Sequence, residues 1–157
     1  MLETTQEIKQ DQATIFFHGI LNEHSNLSNI KLPESNTITF DLQGLTGINS
    51  IGTRKWREFA QQISALKAKI IFVHCPCVFV EQLAMFPNLN PFPFKVASFY
   101  APFVCGSCKR EQEVLCRVDK SKAIFSARAC PHCSGQMNLD DLANETKLIA
   151  DKFCNEK

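Results

Sequence analysis

Residues 37–66 read TITFDLQGLTGINSIGTRKWREFAQQISAL, and within them a strand pattern gives way to a helix pattern. Polar and apolar side chains alternate over residues 37–42, which is typical of a β-strand. Gly44 and Gly47 follow, and two glycines so close together predict that the strand ends there in a loop. From Ile51 onward, charged residues fall between apolar residues at helical spacing. The amphipathic helix this predicts has on its apolar face Trp56, Phe59, Ala60, Ile63 and Leu66.

Further strands and helices are predicted on both sides of this stretch. A polar N-terminal leader precedes the first strand, which has few polar interruptions and should lie centrally in a sheet. The other predicted elements are strands at 13–21, 69–73 and 95–100 and a shorter helix with Phe79, Leu83 and Phe86 on one face. Strands that alternate with helices imply right-handed crossovers and parallel neighbours. We therefore expect an α/β domain with a mixed sheet over residues 1–101.

Two Cys-x-x-Cys pairs are the clearest chemical signal in the chain. Cys105 and Cys108 form one pair, Cys130 and Cys133 form the other, and 21 residues separate them. Two residues between paired cysteines let a tight turn aim both sulfur atoms at one ion, and four thiolates close the coordination sphere of a structural Zn²⁺. Disulfides or redox pairs are the alternative interpretations. His132 could compete as a ligand, although Cys133 has the better spacing.

The residues around these pairs predict a zinc ribbon followed by a helix. Strand patterns at 113–118 and 123–127 are joined at 119–122, so we expect a small β module over residues 102–138, held together largely by its metal. Residues 139–157 are predicted to form a C-terminal amphipathic helix whose docking site the sequence leaves open. One face of that helix would carry Leu142, Ala143, Thr146, Ile149, Ala150 and Phe153.

Composition limits the classes of function. The chain has 157 residues, a formal net charge of +1, 45% hydrophobic residues and 13 Phe, enough for one ordinary domain with an appendage. That charge gives no field to attract nucleic acid or an anionic membrane. The sequence shows neither a signal-peptide pattern nor an apolar run of the ~20 residues that cross a bilayer. We expect a cytoplasmic protein whose eight cysteines serve as metal ligands and buried thiols.

The stretch ITFDLQGLTGINSIG, residues 38–52, together with the helix after it, resembles the signature of STAS domains, the family of the bacterial anti-sigma-factor antagonists. The likeness covers residues 10–101. In that family the motif is Asp-Ser-Ser/Thr-Gly, and a partner kinase that is also the anti-sigma factor phosphorylates its first serine. The resemblance places Ser50 at that serine and Gly52 at the glycine, whereas Asn49 and Ile51 depart from the motif.

The resemblance implies a non-enzymatic signalling protein whose partner is a protein, such as a kinase or an anti-sigma-factor-like regulator. Its tail is also similar to that of STAS-like bacterial proteins that continue from the last strand into a zinc ribbon. Neither the resemblance nor the composition indicates the oligomeric state.

A phosphate at Ser50 would have a physical basis. Unpaired backbone N–H groups at the first turn of the helix would hold it, and Gly52 would let its oxygens approach the backbone. The alternative is that Ser50 or Asn49 simply caps the helix, worth about 1 kcal/mol, while the charges are solvated. The residues alone leave both open. The predicted partner-binding face comprises Asn49, Ser50, Gly52, Arg54, Lys55 and Arg57.

Two other classes of function compete. A nucleic-acid-binding ribbon is the main alternative, although its basic excess shrinks to about +1 once a zinc tetrathiolate is counted. Its contacts would be Lys109, Arg110, Arg117, Lys120, Lys122 and Arg128. A thiol enzyme or redox sensor would use Cys75, Cys77, Cys116 or Cys154. No Ser/His/Asp order, phosphate-binding glycine loop or paired carboxylate stands out, so we expect no enzyme.

Overall fold

A computed structural model describes residues 1–118 and 125–154, without the side chains of residues 153 and 154. Its fold is α/β with a mixed sheet, a second sheet and helices. The first part contains β1 (Glu3–Lys9), β2 (Gln12–Leu21), a 3₁₀ turn (Leu27–Asn29), β3 (Thr37–Ile48), α1 (Ser50–Ser64), β4 (Lys69–Val73), α2 (Cys77–Met85) and β5 (Phe94–Val96). The second contains β6 (Ser98–Cys105), β7 (Glu111–Arg117), β8 (Arg128–Ala129), β9 (Gln136–Leu139) and α3 (Asn144–Cys154).

The first sheet has the strand order β1-β2-β3-β4-β5. β1 is antiparallel to β2, and the other neighbours are parallel, as the alternation of strands and helices predicted. Helices α1 and α2 pack on one face, where aromatic rings from three strands meet rings from both helices. The Phe40 and Phe72 rings lie 5.4 Å apart, and the Trp56 ring lies 5.1 Å from that of Phe79. This aromatic layer is the centre of the core.

The expected N-terminal leader and the expected break in the chain are both wrong. The leader forms β1, which pairs with β2 along its whole length. Gly44 and Gly47 lie inside β3, which continues to Ile48. A glycine is needed at position 44 because the side chain of His18 on the neighbouring strand occupies the space. A Cβ at Gly44 would lie 2.2 Å from His18 Nδ1. β2 and β3 shift register at this point, and the ladder then continues.

The second sheet is antiparallel, with the strand order β7-β6-β9-β8. The strand expected at 95–100 is divided between the sheets, since β5 belongs to the first and β6 to the second. β6 continues to Cys105 and so runs through residues 101 and 102, where a domain boundary was expected. The strand expected at 113–118 is present as β7. The strand expected at 123–127 is wrong over residues 125–127, which precede β8 and form no strand, while residues 123 and 124 and the turn at 119–122 lie outside the described residues.

The C-terminal helix α3 packs against α2. Ala143, Thr146, Ile149 and Ala150 are buried as predicted, whereas Leu142 is 80% exposed. Leu142 does not lie on the buried face because it precedes the helix in a turn. Its backbone N–H donates there to Asp140 Oδ1 at 3.0 Å. Phe153, also expected on this face, has its side chain outside the described atoms. Within the described residues, no helix combines the length and apolar character that crossing a membrane requires.

The close approach of α1 to the end of β2 makes a test of the fold. A Cβ on Gly52 would lie 2.0 Å from the carbonyl oxygen of Leu21, so Gly52→Ala should push the helix from the sheet. We expect a loss of about 2–3 kcal/mol of unfolding free energy, measured by urea denaturation. Gly47→Ala is the control, because its Cβ would meet Ile20 at an ordinary 3.6 Å. Equal stability of both variants would contradict the contact.

Candidate metal centre and the start of helix α1

The four cysteines predicted as ligands come together at one end of the second sheet. Their sulfur atoms all lie within 4.8 Å of one another, with Cys105 Sγ 3.5 Å from Cys133 Sγ and Cys108 Sγ 3.8 Å from Cys130 Sγ. A tetrahedral ion with metal–sulfur bonds of about 2.3 Å requires sulfur separations of about 3.8 Å. Disulfide sulfurs would be about 2.05 Å apart, and these thiols are free. The cluster therefore has the dimensions of a four-cysteine metal site.

The two Cys-x-x-Cys turns share one backbone geometry. In the first, the N–H of Lys109 donates to Cys105 O at 3.0 Å, and in the second, the N–H of Ser134 donates to Cys130 O at 2.9 Å. Both residues have left-handed backbones, with φ of 59° at Lys109 and 60° at Ser134. Each first cysteine also donates its N–H to the carbonyl five residues later. The turns thus present their cysteines to one point in matching ways.

The environment of the thiols favours anionic sulfur at part of the cluster. The backbone N–H of Cys108 lies 3.5 Å from Cys105 Sγ and lowers the pKa of Cys105 to about 6. The backbone N–H groups of Cys133 and His132 likewise lower the pKa of Cys130. At Cys133 the N–H of Gly135 lowers the pKa, but the thiols of Cys105 and Cys108 outweigh it and raise the pKa to about 11.

These opposed shifts have a chemical consequence. Backbone N–H groups favour the thiolate by lowering the pKa of Cys105 and of Cys130, while hydrogen bonds with neighbouring thiols favour the protonated form of Cys133 by raising its pKa. A bound cation would stabilise the thiolate form of all four sulfurs together. The residues present therefore fit a metal ion better than they fit four independent thiols.

At the start of α1, Asn49 rather than Ser50 is the cap. Asn49 Oδ1 accepts from the Gly52 N–H at 2.8 Å, and its Nδ2 donates to Glu23 Oε2 at 2.8 Å. Ser50 is exposed, and its hydroxyl makes no hydrogen bond within residues 1–118 and 125–154. The two interpretations of this turn are therefore compatible, because Asn49 caps the helix while the hydroxyl of Ser50 stays accessible.

The other residues of the predicted face differ in what they can offer a partner. Gly52 is buried and is needed for the contact with Leu21, so its placement has a structural cause. Lys55 is also engaged within the chain, since its Nζ donates to Glu23 O at 2.5 Å and to Ser25 O at 2.6 Å. Arg54 and Arg57 are exposed, and neither forms an ion pair with any described residue.

An apolar side chain that the sequence analysis did not include adds to this surface. Ile51, the residue after Ser50, is 38% exposed. We call Ser50, Ile51, Arg54 and Arg57 the α1 face. Its exposed apolar and cationic groups lie side by side at the positive end of a helix.

The thiols proposed for redox chemistry are poorly placed for it. Burial raises the pKa of the Cys75 thiol, and burial followed by the nearby Glu113 carboxylate raises that of Cys77 to about 12. Cys116 is 3% exposed, and Cys154 lies outside the described side chains. These raised pKa values keep Cys75 and Cys77 protonated at neutral pH. Because the thiolate is the reactive form of cysteine, both side chains should react slowly.

The basic residues of the nucleic-acid alternative are only partly described. Lys120 and Lys122 lie outside the described residues. The guanidinium of Arg128 lies 4.7 Å from the centre of the Phe103 ring, a cation–π contact that holds it against the second sheet.

A polar pair missed by the sequence analysis joins the ends of β3 and β4. His74 Nδ1 lies 3.0 Å from both carboxylate oxygens of Asp41, and the His74 backbone is left-handed with φ of 52°. Parallel pairing of Asp41 with Val73 brings the two together. That register could have been found from the sequence only if the strand ends had been known to a residue.

No protein-family model matches the chain, and no curated protein matches it either.

The raised pKa of Cys77 can be tested through its reactivity with an alkylating reagent. Because the pKa of Cys77 is raised to about 12, its alkylation rate should keep rising well above pH 9, where that of an ordinary thiol levels off. We expect iodoacetamide to label Cys77 slowly at neutral pH in the folded protein, as followed by mass spectrometry of peptides. Unfolded protein is the control and should react at the ordinary rate. Rapid labelling of folded protein at neutral pH would revive the redox interpretation.

Proposed function

We propose that this chain is a non-enzymatic regulatory protein that binds a protein partner through the α1 face, and that a structural Zn²⁺ holds the second sheet together. One observation carries the proposal. Asn49 caps the helix, which leaves the Ser50 hydroxyl exposed beside Ile51 and near Arg54 and Arg57, two arginines that form no ion pair with any residue the structure describes. An apolar centre with cations around it suits a partner surface with apolar and acidic groups.

Zinc is the metal that suits the cluster best. Sulfur-only tetrahedral sites select zinc or iron, and a closed set of four thiolates leaves no position for a substrate or an activated water. The ligands lie on two turns that join different strands of one small sheet. We therefore assign Zn²⁺ a structural role, in a module that resembles a zinc ribbon.

Regulation by phosphorylation of Ser50 is the finer part of the proposal. Arg54 follows Ser50 by four residues, so both lie on the same side of the helix. A phosphate would add about −1.5 to −2 charges there, which the helix dipole and Arg54 would favour but an acidic partner would oppose. The STAS likeness of residues 38–52 supports this reading, and β3 leading into α1 is the arrangement it requires. A kinase or anti-sigma-factor-like regulator in the cytoplasm is the partner this suggests.

The metal assignment can be tested by exchange and removal. We expect one zinc ion per chain by elemental analysis, and cobalt in its place should give the absorption of a tetrahedral tetrathiolate. Chelation should remove amide protection from residues 102–138 in hydrogen exchange while β2, β3 and β4 keep theirs, because their aromatic core does not include the metal.

Two cysteine variants control that experiment. Cys133→Ser should change the cobalt spectrum and weaken zinc binding, since it removes one ligand sulfur. Cys77→Ser should change neither, because its hydroxyl can keep the hydrogen bond that Cys77 Sγ makes to Tyr100 O at 3.4 Å. Loss of protection throughout the chain on chelation would mean that the two sheets do not fold separately.

The α1 face can be tested by variants that separate capping from binding. Asn49→Ala should lose about 1 kcal/mol of unfolding free energy, because it removes the cap, whereas Ser50→Ala should be neutral. Ser50→Asp and Arg54→Glu should release the partner that wild-type protein retains when purified from its own cells, quantified by mass spectrometry. The same spectra report phosphate on Ser50.

Lys147→Glu on the exposed side of α3 is the matched charge control and should retain the partner. If Ser50→Asp and Arg54→Glu hold the same proteins as wild type, the α1 face is not the docking surface. If they release it but Ser50 never carries phosphate, partner binding stands and the phosphorylation switch does not.

A further inference from the structure

The first sheet has an open face opposite its helices. Side chains alternate along each strand, and those of Ile15, Phe17, Ile38 and Phe40 point into the core. Phe16, Ile71 and Val73 alternate with core residues and are half-buried, yet they are not among the residues packed on that core. We call this second surface the open face. At its centre lie Thr14, Phe16, Thr39, Asp41, Ile71 and Val73.

The strand registers arrange the open face in rows. One row runs straight across all five strands, because Glu7 pairs with Thr14, Thr14 with Thr39, Thr39 with Ile71 and Ile71 with Lys95. It begins with a carboxylate on β1 and ends with an ammonium on β5. The next row contains Thr5, Phe16, Asp41 and Val73.

From these rows we propose that the open face binds a second copy of this chain, through a twofold axis parallel to the strands and passing over β3. Such an axis places each row of one copy over the same row of the other copy, and it places the β1 edge of one sheet over the β5 edge of the other. Glu7 then faces Lys95 of the second copy, and Lys95 faces its Glu7. Phe16 faces Val73 of the second copy in the adjacent row, so apolar groups also meet.

The charges on the two edges favour this arrangement over a stack with the axis across the strands, which would put Glu7 over Glu7. Lys69 and Lys95 make no ion pair with any residue in the described ranges. Glu7 has only the exposed Lys9, at 3.6 Å, and pairs of that kind contribute little. An acidic edge and a basic edge on one sheet are complementary to themselves after a twofold rotation.

Asp41 is the one charge close to the axis. Stacked sheets lie about 10 Å apart, and the His74 ring contacts both oxygens of Asp41, so this carboxylate already has a partner on its own sheet. An axis over β3 also places Asp41 of one copy over Asp41 of the other, and the His74 ring nitrogen that lies 3.0 Å from both oxygens of each carboxylate is the group that offsets this like-charged pair.

The area of the open face agrees with a weak dimer. Five strands spaced about 4.8 Å apart and about seven residues long at 3.3 Å each give a face of about 550 Å². Two such faces bury about 1,100 Å² together, above the minimum for a specific interface and below the standard size. We therefore expect a monomer–dimer equilibrium that depends on concentration and weakens with salt.

Sedimentation equilibrium of the full, metal-loaded chain tests the proposal. Glu7→Lys and Lys95→Glu should each weaken dimerisation about tenfold or more, because each change reverses two symmetry-related pairs at once. The double variant Glu7→Lys with Lys95→Glu should restore association to near the wild-type level, since every pair is then attractive again. Phe16→Ser should weaken the dimer without any rescue.

Glu58→Lys and Lys67→Glu, exposed on and just beyond α1, are the matched charge controls and should associate as wild type does. Thermal unfolding of every variant shows whether its fold is intact. A chain that stays monomeric up to submillimolar concentration would overturn the proposal. So would a dimer that the single reversals leave unchanged, or one that the double variant fails to restore.

Discussion

The parallel strands β2 to β5 follow one another across the sheet in chain order, and this constraint determines where the rest of the molecule lies. Right-handed crossovers that always step in the same direction place every connection on the same face. Leu27, Trp56 and Phe79, from three successive connections, accordingly share one core. Among residues 1–118 and 125–154, no connection between the parallel strands covers the opposite face, and α1 begins where β3 ends, so the order of strands creates both surfaces discussed above.

Local periodicity was enough to predict β2, α1, β4 and α2, because each carries its own alternating or helical pattern. Phe86 was wrongly placed on the apolar face of α2, since the helix ends at Met85 and Phe86 is 39% exposed. β1 was missed because it is an edge strand whose polar side chains need only a neighbour with free backbone groups. β3 was predicted too short because Gly44 makes room for a histidine on β2, a contact between residues 26 apart in the chain. Such contacts leave no periodic trace in a sequence.

The candidate site divides in the same way. The four cysteines could be predicted because the spacing of ligands within a turn is a property of the local chain. The sequence could not predict which of Asn49 and Ser50 caps α1, since both side chains are good caps. The hydrogen bond from Asn49 Nδ2 to Glu23 fixes the choice, and it depends on how the end of β2 meets the helix. The backbone N–H of Glu23 itself lowers the pKa of its carboxyl group, and the hydrogen bond from Asn49 lowers that pKa further.

β6 joins the two sheets, and its two ends depend on different partners. At its start, Cys75 accepts from the Tyr100 N–H and donates to Ser98 O, so this part of the strand is held by the end of β4. At its other end, β6 pairs with β9 and terminates at Cys105 in the cluster. Phe99 and Phe103 are both fully buried in one continuous core. A metal ion held by the cluster would therefore add order to the distal half of a strand whose proximal half the first sheet already holds, which makes the cluster an extension of the α/β core.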